Sequence, residues 1–132
     1  MKKISFFIKS AFHIYNILLG VLYLYPGSII GLIFYQNIEK QPQLTSDFII
    51  FSSNHIYAFL ILSLLGLFSY HKNKTKTLFL YLFLISIFFE LFHILIPNRS
   101  FQYQDLLGNL FGVLTIFLLF KFYQFIKDYF SD

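Results

Sequence analysis

The chain has 132 residues, of which 58% are hydrophobic and only 12% charged, with a mean hydropathy of +0.69. Soluble domains carry about twice that charged fraction, so lipid rather than water is its main solvent. There is no cysteine, which excludes disulfides, thiolate nucleophiles and cysteine-ligated metals. The net charge of +4 sits in short clusters beside apolar runs, a pattern that points to membrane orientation and not to nucleic acid.

In chain order, Lys2, Lys3 and Lys9 precede an apolar run that stops at Pro26, Gly27 and Ser28. No small-residue cleavage site follows it, so the run is expected to stay as a first transmembrane helix over about residues 6–25. Residues 29–35 are apolar but too many to add to a span that already fills a ~30 Å core, and they read as an interfacial or re-entrant segment. Residues 37–47 are polar and contain Pro42, marking a loop outside the hydrocarbon. A second helix is expected over about residues 48–70, followed by the basic stretch 71–76. A third covers about residues 77–96 and ends at Pro97. The fourth covers about residues 105–126.

The expected architecture is therefore a single all-α integral membrane domain spanning residues 1–132, a bundle of four transmembrane helices with a short interfacial segment after the first. Eight Lys and Arg residues lie at the start, in 71–76 and at the end, against Lys40 and Arg99 on the other side. The positive-inside rule then places both termini in the cytoplasm.

Ionisable groups inside a span are costly unless paired or hydrated, so their positions carry information. From the outward helix ends, His55 is expected ~12 Å deep, Glu90 ~10 Å and His93 ~6 Å at 1.5 Å per residue. Asp105 opens the last helix, with Asn109 one turn deeper on the same stripe as Gly112, and Arg99 lies in the segment before it. Gly108 and Gly112 form a GxxxG pair that admits close approach of another helix. These spacings predict a polar pocket open to the external side, formed by His55, Glu90, His93, Arg99, Asp105 and Asn109, with Glu90 and Asp105 balanced by Arg99. The inner halves of the helices offer only His13 and Asn16 as comparable groups, which argues against a conduction path. Nothing in the spacing fixes a metal site, a phosphate loop or a nucleophile elbow, so no metal and no cofactor are expected, and no catalytic residue is assigned.

The run holding Glu90, His93, Arg99, Ser100, Asp105, Asn109 and Gly112 resembles the signature of VanZ-like membrane proteins, a Glu-x-x-Gln, an Arg-Ser turn, then Asp, Asn and Gly on the last helix. The chain departs from that pattern at His93, where Gln is usual, and at Phe51-Ser52, where an Asp-Lys pair usually precedes the histidine of the second helix. With that lysine absent, His93 stands to supply the missing positive charge. The resemblance implies a bacterial inner-membrane protein of the cell envelope, a family whose namesake is associated with reduced susceptibility to teicoplanin and whose typical member is not known to be an enzyme. The ligand expected from the pocket is a lipid headgroup or a lipid-linked envelope precursor. An acid-base enzyme acting on such a lipid, and a structural subunit with a membrane-protein partner or a second copy, are the alternatives.

Overall fold

The structure, a computed structural model, describes residues 2–70 and 74–130, without the side chains of Lys2 and Lys3; residues 71–73 of the predicted basic loop lie outside the described residues. It has five helices: α1 (Lys2–Leu24), α2 (Ile29–Tyr35), α3 (Ser53–Tyr70), α4 (Thr75–Phe92) and α5 (Tyr103–Tyr129). All but α2 are long and apolar enough to cross a bilayer, and no strand occurs among the described residues.

The distribution of side chains is that of a protein dissolved in lipid. Between 11% and 39% of each candidate span is buried against the rest of the protein, and residues such as Ile14, Ile33 and Phe122 face outward. Polar groups go inward instead: Ser53, Ser86, Glu90 and Asn109 have no exposed surface. That inversion follows from the solvent, because hydrocarbon gives an unpaired polar group nothing to bond.

Each helix end has a local cause. Helix α1 stops before Pro26 and Gly27, whose φ of +97° favours glycine and where a side chain would run into Ile38. Ser28 then caps α2 by accepting from the Gly31 amide at 2.9 Å, and Gln36 closes it in the left-handed region. The short segment expected after the first span is thus one and a half to two turns of helix.

Helix α3 begins at Ser53, later than the apolar run starting at residue 48 suggests. Asp47 Oδ1 accepts from the Ser53 amide at 2.8 Å, Ser53 Oγ donates to the Thr45 carbonyl, and the Ser52 amide donates to the Gln104 carbonyl. Residues 48–52 are pinned as a non-helical strap by these bonds. His55 consequently lies in the first turn of α3, much nearer the helix end than the depth expected from a start at residue 48. At the other boundary α4 ends at Phe92, because His93, Ile94 and Leu95 each donate to the carbonyl three residues back.

Helix α3 packs chiefly on α5 and α1, and α4 on α5. Gly108 and Gly112 sit where α5 meets α3: a methyl group on Gly112 would lie 2.6 Å from the Ile56 carbonyl oxygen. Below the polar end, Leu19, Phe59, Leu62, Leu82 and Val113 fill an apolar core. At the opposite end His13 Nε2 meets Tyr70 Oη at 2.9 Å and Asn16 Nδ2 donates to Tyr81 Oη at 2.5 Å, tying α1 to α3 and α4. The apolar core separates these two polar layers.

Candidate functional site

The polar layer at the α1 C-terminal end is assembled from terminal turns. Tyr23 comes from the last turns of α1, His55 from the first of α3, Glu90 from the last of α4, and Asp105 and Asn109 from the first two of α5. Asn109 is its hub. Its Nδ2 donates to the Ser86 carbonyl at 3.1 Å, and because a carbonyl only accepts, this contact fixes which end of the amide is nitrogen. Oδ1 therefore faces Tyr23 Oη at 2.7 Å and His55 Nδ1 at 3.0 Å. Oδ1 is also acceptor-only, so the Tyr23 hydroxyl donates to it, as does a protonated His55 Nδ1, which also lies 3.0 Å from Tyr23 Oη. Nε2 is directed to Asp105, whose Oδ2 is 3.5 Å away.

The second histidine is arranged in the same way. His93 Nε2 lies 3.0 Å from the Tyr23 carbonyl oxygen and must donate to it, while the ring stacks on the Tyr23 ring at 16° and 5.8 Å. Its Nδ1 is 3.2 Å from Glu90 Oε2. Glu90 Oε1 accepts from the Gln102 amide at 2.9 Å, whereas Oε2 has no aligned hydrogen bond although the side chain is fully buried. Two imidazole nitrogens thus face two carboxylates, and each contact is an ion pair when its ring is protonated. His93 stands where a protonated ring would bring a positive charge to Glu90.

Arg99, expected to balance these carboxylates, does not contact them directly among the described residues. Among the described residues, Glu90 and Asp105 have histidines as their ion-pair partners. Arg99 instead wraps the C-terminus of α1, donating to the Leu22 carbonyl at 2.9 Å, the Tyr25 carbonyl at 3.3 Å and Gln41 Oε1 at 3.3 Å. A cation at those orphan carbonyls satisfies them and complements the helix dipole. Partial burial pushes the guanidinium below its ordinary pKa, while the fields of Glu90 and Asp105 hold it up.

A cavity of about 260 Å³ opens between α1, α2, the 41–44 loop and α3. Its polar end is lined by Gln41, Asn54, His55, His93 and Arg99, and its body by apolar residues including Leu19, Ile29, Ala58 and Ile61. Of the six residues predicted to form a pocket, His55, His93 and Arg99 line this cavity. Glu90, Asp105 and Asn109 join the same polar layer but do not line the cavity.

Sequence reasoning passed over Tyr23, which touches His55, His93 and Asn109 together. The available signal was a hydroxyl near the outer end of the first span, at the level of the ionisable residues, lost among ten tyrosines. Asn54 anchors the loop: its side chain donates to the Pro42 carbonyl and accepts from the Leu44 amide.

No curated protein and no solved structure matches the chain. The family model described as VanZ/LLP1 matches residues 5–124, which takes in α1 to α4, most of α5 and every residue of the polar layer. This membrane protein belongs to the VanZ/LLP1 family.

Proposed function

We propose that the protein acts in the bacterial cell envelope by binding, in the cavity beside Arg99, the anionic headgroup of a membrane lipid or of a lipid-linked envelope precursor. The observation that carries this reading is the cavity's polarity. An apolar body suited to an acyl or prenyl chain leads to a polar end where a guanidinium sits with two imidazoles and two amides. Three of the five guanidinium N–H groups are committed to α1 and Gln41, which leaves two for a ligand oxygen.

The positive-inside count supports an inner-membrane protein with both termini cytoplasmic, so that the cavity opens to the external leaflet. Modulation of teicoplanin-type susceptibility is the cellular consequence that family membership suggests; a protein partner or a second copy would be an addition to this role. Transport is disfavoured by the apolar core between the two polar layers.

The test is native mass spectrometry of the purified protein with phosphatidylglycerol and, in parallel, phosphatidylcholine. Preferential retention of the anionic lipid, weakened about tenfold by Arg99→Gln and by filling the cavity with Ala58→Phe, is the expected result. Equal retention of both lipids by all three proteins rejects the assignment. A second reading, an acid-base enzyme, is favoured by His55 bridging the cavity and the buried carboxylates. Product accumulating with time from an envelope lipid would establish turnover and replace the binding role.

A further inference from the structure

We propose that His55, Glu90 and Asp105 form a binding site for one divalent transition-metal ion of the zinc or manganese class. Each residue offers one ligand atom, and the three atoms lie within 4.8 Å of one another. Closing on a metal at ~2.0–2.2 Å requires the side chains to draw inward by under about one ångström. The residue spacing in the sequence conceals the site, because the three ligands come from three different helices.

Two independent features point to a ligand. Glu90 is fully buried, and its Oε2 accepts no aligned hydrogen bond, with His93 Nδ1 at 3.2 Å as its one charged neighbour among the described residues, so a second cation would complete it. Further, Asn109 Oδ1 lies 3.0 Å from His55 Nδ1 and so orients the ring with Nε2 toward Asp105. That is the arrangement of a metal-binding histidine, whose far nitrogen donates to an oxygen and whose near nitrogen ligates. With neither a metal ion nor a proton on His55, its Nε2 would confront the two carboxylates bare.

The donor set of one imidazole and two carboxylates suits zinc or manganese better than the soft metals that seek sulfur. Asp105 retains 17% side-chain exposure, and His55 also borders the cavity, so the site lies next to the proposed ligand space. The rival occupant is a proton on His55 that makes a simple ion pair with Asp105.

The whole chain, purified in detergent without a polyhistidine tag and stripped with chelator, would be incubated with Zn²⁺ or Mn²⁺ and desalted, and its metal content measured by mass spectrometry. About one ion per chain is expected, with retention at least tenfold weaker in Asp105→Asn and in Glu90→Gln, whose helical content is followed by circular dichroism. No retention of either ion by the native chain, or equal retention by both folded variants, overturns the site. Should either variant lose its helices, X-ray absorption of the native chain decides: one imidazole with oxygen ligands supports the site, and any other imidazole count overturns it. The measurement uses no lipid, so its failure is separate from failure of the lipid-binding role.

Discussion

Asn109 shows how a single side chain organises the polar layer. Its amide joins α5 to α4 through Ser86, to α1 through Tyr23 and to α3 through His55. Removing it strands a buried Tyr hydroxyl and an imidazole N–H, so Asn109→Ala is expected to lower stability by about 2–4 kcal/mol. Tyr23→Phe keeps the ring that stacks on His93 and removes only the hydroxyl, for an expected loss of about 1–2 kcal/mol. Both losses are readable from thermal unfolding in detergent, and a Tyr23→Phe protein less stable than Asn109→Ala would mean that the hub is misplaced. His93→Gln restores the residue usual in the family and retains an amide donor for the Tyr23 carbonyl, so the bundle should remain folded. At this scale the sequence was most informative where a charge interrupts an apolar run, since Glu90, His93 and Asp105 have few structural reasons to be there. It was blind to Arg99's partners, because backbone carbonyls at a helix end look the same in every sequence.

Elements were legible in number and imprecise at their ends for a related reason. Hydropathy counts apolar residues, but Phe48, Ile49 and Ile50 are apolar and non-helical, held there by Asp47 and the contact of Ser52 with Gln104. The GxxxG pair was legible because small size is written in the residue itself, and the structure places Gly112 against the α3 backbone and Gly108 against the Ser52 backbone just before it. Gly112→Ala would set a methyl 2.6 Å from the Ile56 carbonyl oxygen and 2.9 Å from the Leu60 amide nitrogen. Neither is a flexible side-chain tip, so α3 and α5 must part, at a cost of about 1–3 kcal/mol. Gly20→Ala serves as the control, since its methyl would meet Phe89 Cζ at an ordinary 3.7 Å. Equal unfolding temperatures for the two variants would show that the α3–α5 approach is looser than the structure has it.

At the scale of the whole molecule, the two ends of the bundle are chemically unlike. One holds the cavity, Arg99 and the His–carboxylate layer; the other ends in Lys74, Lys76, Lys121 and Lys127, with the apolar core between. The direction of insertion therefore decides which compartment the cavity samples, and the positive-inside rule assigns the lysine-rich end to the cytoplasm. The cysteine-free sequence makes this directly measurable, because a single introduced thiol has no background. Glu39 lies exposed on the loop beside the cavity, and Asp128 is exposed at the far end of α5. Glu39→Cys should react with a membrane-impermeant maleimide on intact cells, and Asp128→Cys only after lysis. The opposite labelling would turn the cavity to the cytoplasmic leaflet, so a precursor displayed only on the external leaflet would drop out as the ligand and the anionic headgroup of a membrane lipid would remain.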